Sequence, residues 1–265
     1  MSYRLTLLGT GSSGGVPRLG NNWGACDPAN PKNRRRRCAA LVDRINGRGR
    51  TCVLIDSSPD LRDQLLEAQV ATLDGVLYTH DHADHTHGID DLRMIAFNMK
   101  RRVDVHGDAA TLATLRRRFD YCFASPPGSS YPAILNAHEI RPPHPVRIDG
   151  AGGPIEAVPV VQEHGDITSL GFRIRNVAYS PDISGLADDS AALLADLDLW
   201  IVDALRYISH PSHFSVKQAL AWIETIKPKR AILTHLHVDL DYEALRRELP
   251  EHVTPAYDGL TVHFD

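Results

Sequence analysis

Residues 79–85 carry three imidazoles and two carboxylates directly behind a short apolar run. That run, residues 74–78, contains β-branched and aromatic residues and is short enough for a buried strand, which places the polar cluster at a strand end. In extended backbone His80 and His82 project the same way, so one metal ion can take both. Asp84 and His85 lie past the turn and suit a second ion that shares a ligand with the first. A solvated polar loop is disfavoured, because so many ligand-type side chains are an odd end for a buried strand.

The bulk composition limits what can surround this cluster. The chain has 265 residues, of which 43% are hydrophobic, enough for one large α/β domain or two small ones. A net charge of −4 and a pI near 6.4 disfavour a protein whose main work is to coat duplex nucleic acid. Residues 1–4 lead straight into a strand-like segment without a leader or long apolar stretch, so we expect a cytoplasmic protein and no membrane partner.

Cysteines and histidines are informative in different ways. The four cysteines form no Cys-x-x-Cys pair, which favours reduced, buried thiols over a disulfide framework or a zinc knuckle. The fourteen histidines do not by themselves indicate metal, since most of them stand alone in the sequence. The cysteines are Cys26, Cys38, Cys52 and Cys122.

The first forty residues combine a strand, a glycine-rich turn and a basic run. Residues 5–8 predict a strand, and residues 9–17 a turn whose N–H groups and serine hydroxyls could cradle a phosphate or serve structure alone. The arginines at 34–37 are either solvated or bind an anion, because arginine suits bidentate phosphate recognition. The substrate-binding candidates are Gly11, Ser12, Ser13 and Arg36.

The segments that follow predict alternating strands and helices. Residues 38–42 and 51–55 predict a hairpin, and Ser58 before Pro59 predicts an N-cap that starts a helix. Helical spacing of apolar residues predicts further helices at 85–98 and at 108–119, the latter with three arginines on its wet face. Residues 124–154 are dense in Pro, Gly and Ser, which predicts a surface excursion or lid.

Metal-ligand residue types recur at the ends of apolar strands. Four separate strands lead to His80, His164, Asp182 and His235, so one rim of a sheet assembly collects them. Strand-end position supports His164, but the residues alone do not select it over His138 or His144.

The run His80-x-His82-x-Asp84-His85 after a strand resembles the signature of the metallo-β-lactamase fold superfamily, and the later strand ends complete that pattern over nearly the whole chain. The resemblance implies an α/β fold: a four-layer αββα sandwich, with two mixed β-sheets flanked by helices, as one hydrolase domain over residues 1–265. It implies two divalent metal ions per chain, zinc first, with manganese or iron as alternatives. One ion would be held by His80, His82 and His164, the other by Asp84, His85 and His235, with Asp182 bridging the two.

Within the superfamily, the chain most resembles the phosphodiesterase of the carbon–phosphorus lyase pathway, which opens phosphoribosyl cyclic phosphates. This resemblance is carried by Gly9-Thr10-Gly11, Gly15-Val16-Pro17, Arg35-Arg36 before Cys38, and Thr234-His235. His213, ahead of Phe214 and a helix, is similar in placement to the catalytic histidine of that family and of the tRNA 3′-processing endonucleases. The chain departs from the family at an extra zinc site, where Cys26 stands alone and Val238 replaces a histidine, so we expect no third metal.

These features predict a binuclear metal-dependent phosphodiesterase that acts on a small or cyclic phosphodiester, of nucleotide or phosphoribosyl type, through a metal-bridging hydroxide. Asp84 contributes as a catalytic carboxylate at the metal site, and His213 is the expected donor of a proton to the leaving group. The expected partner is a small phosphodiester or nucleotide rather than a large nucleic acid, and we expect a homodimer.

Three alternatives stay open. A glyoxalase II-like thioester or lactam hydrolase shares the metal cluster, although the Gly-Thr-Gly opening and His213 argue against it. A tRNA 3′-processing-type nuclease is weakened by the acidic net charge. A non-catalytic metal-dependent nucleotide sensor is disfavoured because His213 accompanies a full ligand set.

Overall fold

The strands form two sheets. The computed structural model of the protein describes residues 2–125 and 127–265, and over these residues two seven-stranded sheets are formed. The strands are β1 (Ser2–Gly9), β2 (Ala39–Asn46), β3 (Gly49–Ile55), β4 (Gly75–Leu77), β5 (Val103–Gly107), β6 (Leu135–Glu139), β7 (Val146–Ile148), β8 (Ile155–His164), β9 (Ile167–Ile174), β10 (Val177–Ser180), β11 (Leu199–Asp203), β12 (Arg230–Thr234), β13 (Val253–Pro255) and β14 (Thr261–Phe264).

Each sheet combines antiparallel and parallel neighbours. The first has the order β14-β1-β2-β3-β4-β5-β6, antiparallel up to β3 and parallel from there on. The second has the order β13-β12-β11-β10-β9-β8-β7, in which β10 to β13 run parallel. Because β9 is antiparallel to both β8 and β10, the end of β8 lies at the same edge as the ends of β10 to β12.

The helices cover the outer faces of the two sheets. The helices are α1 (Leu61–Glu67), α2 (Ala83–Thr86), α3 (Leu92–Met99), α4 (Ala109–Arg118), α5 (Asp120–Phe123), α6 (Asp188–Ala192), α7 (Val216–Ile226) and α8 (Tyr242–Glu248). Apolar residues of α1, α3 and α4 pack on the outer face of the first sheet, and those of α7 and α8 on that of the second. The longest of them in the described chain, α7, has 11 residues, and no described helix has the length and apolar character needed to span a bilayer.

The central core lies between the two sheets. In β1 alternate residues are buried, so Leu5 and Leu7 face the second sheet, where they join a cluster that includes Phe172 and Ile201. Strand β11 is buried along its whole length, as expected of a parallel strand covered on both faces. The predicted αββα sandwich with two mixed sheets and helices outside is therefore confirmed.

Two predicted helices begin or continue differently. The helix after β3 starts at Leu61 with Asp60 as its N-cap; the Ser58 hydroxyl accepts from the Asp60 N–H (3.1 Å) and donates to Gln64 Oε1 (2.9 Å), so it caps the turn that precedes the helix. The predicted helix over 85–98 is broken into α2 and α3 by a 3-10 turn at Ile89–Asp91. Gly88 allows the chain to pass there, since a Cβ at this position would lie 2.0 Å from the Ser58 carbonyl oxygen.

Residues 124–154 are not a plain surface excursion. This segment contains β6, which pairs with β5 at one edge of the first sheet, and β7, which pairs with β8 at one edge of the second. The interpretation as a lid was wrong for these residues, because the segment connects the two sheets; Pro126 lies outside the described residues. The four cysteines are free and buried, as predicted.

Candidate binuclear metal site

Seven side chains converge where strand ends of the two sheets meet. They form two groups that share Asp182, and in each group the ligand-type atoms all lie within 4.8 Å of one another. The structure thereby brings together the residues that the sequence suggested as ligands. The first group is His80, His82, His164 and Asp182; the second is Asp84, His85, Asp182 and His235.

A short strand and a one-turn helix divide the first sheet's contribution between the groups. His80 lies three residues beyond β4, and His82 is the N-cap of α2 with β-type dihedral angles. Asp84 and His85 lie in the first turn of that helix, where the backbone has changed direction. The change from extended to helical backbone is why neighbours in sequence serve different groups.

The Asp56 carboxylate fixes this loop through hydrogen bonds. Its Oδ1 accepts from the Thr79 N–H (2.8 Å), and its Oδ2 accepts from the Thr79 hydroxyl (2.8 Å) and from His85 Nδ1 (2.7 Å). Burial raises the pKa of the Asp56 carboxyl, and these donors partly offset that effect. Sequence reasoning missed this role, although Asp56 directly follows β3 and so occupies the strand-end position of the other site residues.

The histidine tautomers follow from these anchors. The Thr79 hydroxyl donates to Asp56 and therefore accepts from His80 Nδ1 (2.9 Å). His164 Nδ1 donates to the Ser212 carbonyl oxygen (2.6 Å). In each ring one nitrogen is thus committed to an oxygen outside the groups, as is usual for metal-binding histidines, and Nε2 keeps its lone pair for the centre.

Buried atoms at the centre lack partners, which tests whether cations fit there. His80 Nε2, His85 Nε2 and Asp182 Oδ1 are buried without a hydrogen bond to any described residue. His85 Nε2 lies 3.0 Å from Asp182 Oδ1, and His80 Nε2 lies 3.8 Å from Asp182 Oδ2. Buried unpaired polar atoms are costly, whereas imidazole and carboxylate lone pairs are ligands for Zn²⁺, Mn²⁺ or Fe²⁺. The residues therefore fit two divalent cations.

The charges at the centre point the same way. Burial opposes charge on the imidazoles, but Asp182 and Asp84 outweigh it and raise the pKa of His85 well above its usual value. Asp182 likewise raises the pKa of His235 to about 9 against the effect of burial. Burial keeps the pKa of His80 well below its usual value and lowers that of His164 to about 4. The carboxylates of Asp182 and Asp84 thus favour positive charge at the centre, which protons or bound cations can supply.

His213 stands beside both groups and belongs to neither. Its ring centroid is 4.7 Å from those of His164 and His235. Its Nδ1 lies 2.7 Å from Oδ2 of Asp203, the last residue of β11. It does not cap the following helix, because Ser215 is that N-cap in a capping box with Gln218. Sequence reasoning selected His213 by resemblance and missed Asp203, whose signal was again a carboxylate at a strand end.

The glycine turn supports the loop that carries His235. The Gly11 N–H donates to the Arg36 carbonyl oxygen (2.8 Å), and the Ser12 N–H to that of Leu236 (3.3 Å). A Cβ on Gly11 would lie 2.9 Å from Arg35 Cβ, so the backbones approach too closely for a side chain.

The substrate-binding candidates differ in availability. Ser12 is buried and Ser13 is exposed. Arg36 already has two carboxylate partners, Asp258 at 3.1 Å and Glu67 at 2.6 Å, with which a substrate phosphate would compete. Substrate binding by Gly11, Ser12, Ser13 and Arg36 stays a prediction.

Cys26 lies in a small apolar cluster with Val16 and Val238. Its thiol donates to the Val238 carbonyl oxygen (3.3 Å), and Nη1 of the buried Arg35 lies 3.8 Å from the sulfur. This thiol is therefore packed with a guanidinium where related proteins were expected to hold zinc, and the absence of a third metal stays a prediction.

Comparison with known proteins places these features among relatives. The family model described as a beta-lactamase superfamily domain matches residues 51–236. A diphosphatase from the PhnP family, known from a crystal structure, shares 32% sequence identity with this chain. The two structures superpose with a TM-score of 0.89 over 100% of this chain and 98% of the diphosphatase. Zinc-bound PqqB from Methylobacterium extorquens is 19% identical with a TM-score of 0.75, over 98% of this chain and 99% of its own.

Two further comparisons differ in what they show. Human tRNase Z, short form, is 19% identical with a TM-score of 0.61 over 98% of both chains, which shows a shared fold. A protein named octanoyltransferase from Porphyromonas gingivalis is 34% identical over 265 residues, which are 99% of this chain and 52% of that protein. The chain thus spans about half the length of this curated relative.

Proposed function

Because this chain belongs to the beta-lactamase superfamily, as the match over residues 51–236 shows, we propose that it is a metal-dependent phosphodiesterase acting on a small or cyclic phosphodiester. The observation that carries the proposal is the pair of ligand groups sharing Asp182, with His213 beside them. The likeness to a diphosphatase at 32% identity over the whole chain supports phosphoryl chemistry.

The protein's own residues divide the work of such a reaction. When bound, two divalent ions supply Lewis acidity and lower the pKa of a bound water toward neutrality. Asp182 links the two groups, and the partly buried Asp84 adds a second carboxylate. Asp56 and Thr79 fix the rings of His85 and His80, so little reorganisation is needed during the reaction.

His213 is the proposed general acid. Its Nδ1 is held by Asp203, which leaves Nε2 to give a proton to the departing alkoxide oxygen. Burial lowers the pKa of His213 to about 4 and raises that of Asp203 well above its usual value, so the imidazolium form needs further support. The negative charge of a bound phosphodiester supplies such support, because an opposite charge nearby favours the charged ring.

A substrate panel tests the proposal. The protein is reconstituted with zinc, manganese or iron and assayed with bis(p-nitrophenyl) phosphate, cyclic nucleotides and an octanoyl thioester. We expect phosphodiester hydrolysis that disappears with a chelator and returns with metal. Thioester hydrolysis without phosphodiester hydrolysis by any metal form would contradict it.

An acyl thioester hydrolase is the second candidate, favoured by the relative named octanoyltransferase. That name describes a protein about twice as long, of which this chain matches 52%. The two candidates differ in their need for His213, because a thiolate leaves readily without a proton. If the thioester is the substrate, His213→Ala should change its turnover little.

The remaining predictions about the whole protein have their own tests. A homodimer would be recognised by its mass in sedimentation equilibrium, and the cytoplasmic location by cell fractionation.

A further inference from the structure

A hollow of about 520 Å³ opens beside the first ligand group. His82 connects the two, because it is the exposed member of that group, whereas His80, His164 and Asp182 are each 1% exposed. A molecule whose phosphate lies at the centre can therefore extend past the His82 ring into this space. The hollow is lined by His82, Ala83, His87, Arg118 and Phe119.

Rings form much of this lining. Phe119, the C-cap of α4, is partly buried and packs against the apolar cluster on the outer face of the first sheet. His87 meets it edge to face, with the ring centroids 5.5 Å apart and the planes at 81°. Together with His82, this makes three rings around one space, a lining on which a planar heterocycle can stack.

Arg118 adds a cation to the lining. It is the last residue of the three-arginine run that the sequence suggested was a wet face, and its side chain turns back toward the ligand loop. Its Nη1 donates to the Asp81 carbonyl oxygen (2.6 Å), and Nη2 lies 3.8 Å from Asp81 Oδ2. The side chain is still 40% exposed, so N–H groups are left for an acceptor on the base, either a ring nitrogen or a carbonyl oxygen.

We propose that this hollow, the base hollow, binds the nucleobase of a nucleotide substrate, and that Phe119 and Arg118 determine this specificity. The inference rests on the proposed phosphodiesterase function and names its substrate class. A phosphoribosyl ester without a base would leave the rings unfilled, whereas a nucleoside places a planar ring within one sugar of the phosphate.

The kinetic test uses two substrates that differ in the base alone. The metal-loaded protein is assayed with adenosine 2′,3′-cyclic phosphate and with methyl riboside 2,3-cyclic phosphate. We expect a KM about tenfold lower for the adenosine ester, since stacking of one base on an aromatic ring commonly contributes that much or more. Equal KM values would overturn the proposal.

Variants assign the preference to the hollow. Phe119→Leu keeps an apolar side chain for the core but removes the ring face, so it should abolish the difference in KM and leave the base-free ester unaffected. The matched control is Phe97→Leu, an exposed phenylalanine of α3 that lines a different hollow, and it should preserve the difference. A loss of equal size on both esters in Phe119→Leu would contradict a role in base binding.

Arg118 needs a separate readout, because its bond to Asp81 could simply hold the ligand loop. Arg118→Gln should raise KM for the adenosine ester by roughly three- to tenfold with unchanged metal content and melting temperature, and Arg118→Lys should restore part of it. Metal loss, with equal decline on both esters, would show a structural role and overturn its assignment.

Equilibrium binding separates failure of this inference from failure of the proposed function. If neither ester is hydrolysed, calorimetry with the metal-loaded protein compares adenosine 5′-monophosphate with ribose 5-phosphate. Tighter binding of the nucleotide that disappears in Phe119→Leu supports the base hollow without any turnover. Equal binding of the two overturns it.

Discussion

The two sheets build their shares of the centre in different ways. The first sheet supplies four ligand candidates from one loop of six residues, between His80 and His85. The second supplies them singly, His164 at the end of β8, Asp182 beyond β10 and His235 beyond β12. The positions of the first sheet's ligand candidates therefore depend on the local backbone conformation and on Asp56. Those of the second sheet's candidates depend on the side-by-side assembly of several strands.

A hydrogen bond between a strand-end carboxylate and an imidazole nevertheless occurs in both sheets. Asp56 follows β3 and holds His85 Nδ1 at 2.7 Å, and Asp203 ends β11 and holds His213 Nδ1 at 2.7 Å. His85 belongs to a ligand group, but His213 belongs to neither. The same carboxylate–imidazole pair thus fixes a metal ligand in one sheet and, as proposed, a proton donor in the other.

The largest effect on activity is expected from a change at the one ligand candidate that both groups share. Asp182→Ala should lower occupancy at both metal sites, because its carboxylate belongs to both groups. Loss of the ions removes several kcal/mol of transition-state stabilisation, so hydrolysis should fall by about 10³-fold or more. Elemental analysis and initial rates measure this, with the exposed Asp189→Ala as control. Loss of one ion with unchanged affinity for the other would show that Asp182 does not bridge.

The next effect separates proton transfer from metal binding. His213→Ala should lower the rate by about 10² to 10⁴ on a diester with an ordinary alcohol as leaving group. With a nitrophenolate leaving group the loss should be far smaller, because that group needs little protonation. Metal content should stay that of the unmodified protein. Equal losses on both substrates, or a metal-depleted variant, would place His213 among the groups that support the ligands.

A matched pair of variants tests whether the two carboxylate–imidazole pairs serve metal binding in one sheet and proton transfer in the other. Asp56→Asn should weaken metal binding about 10- to 100-fold, the usual cost of losing a carboxylate that orients a ligating histidine. Asp203→Asn should leave metal affinity unchanged and slow the esters with poor leaving groups. Competition with a chromophoric chelator and leaving-group series measure the two effects. The same response from both variants would mean that the sheets do not differ in this respect.

The smallest effect on the reaction concerns strand assembly in the second sheet. The Ser180 hydroxyl accepts from Trp200 Nε1 (3.0 Å) and from Gln162 Nε2 (2.7 Å), which ties β8, β10 and β11 together. Ser180→Ala leaves these buried donors unpaired and should lower the free energy of unfolding by about 1 to 3 kcal/mol. Denaturant melts measure this, with Ser190→Ala on α6 as control. We expect the rate to change only a few-fold, and an unchanged stability would contradict the account.

The same contrast explains what the sequence could and could not predict. The ligand candidates of the first sheet could be predicted because they are close neighbours in sequence, directly after one apolar strand. His164 could be separated from His138 only through the family resemblance, because the sequence does not state which strands meet. In the structure His138 lies on the edge strand β6 and contacts Asp104 at 2.9 Å, away from both groups.

Other features were missed for similar physical reasons. Asp56 and Asp203 act through partners 29 and 10 residues away, so neither forms a recognisable local motif. Strand β6 has the sequence LNAHE and is exposed along much of its length, which leaves little hydrophobic alternation to indicate a strand. The helix start predicted at Ser58 was wrong because this hydroxyl caps a turn, by accepting from the Asp60 N–H (3.1 Å), and the helix begins only after that turn.

The pairing of β1 with β14, in which Tyr3 lies opposite Phe264, has a consequence for the order of events during protein synthesis. The histidine loop leaves the ribosome about 175 residues before β14, and before every ligand candidate from the second sheet. At about 5 to 20 residues per second, the interval is on the order of ten seconds or more. His164 follows His85 by 79 residues and Asp182 follows it by 97, so for about the first half of that interval the nascent chain presents His80 and His82 without either of them. The full coordination set therefore forms only after His235 has been made and the strands of both sheets can pair.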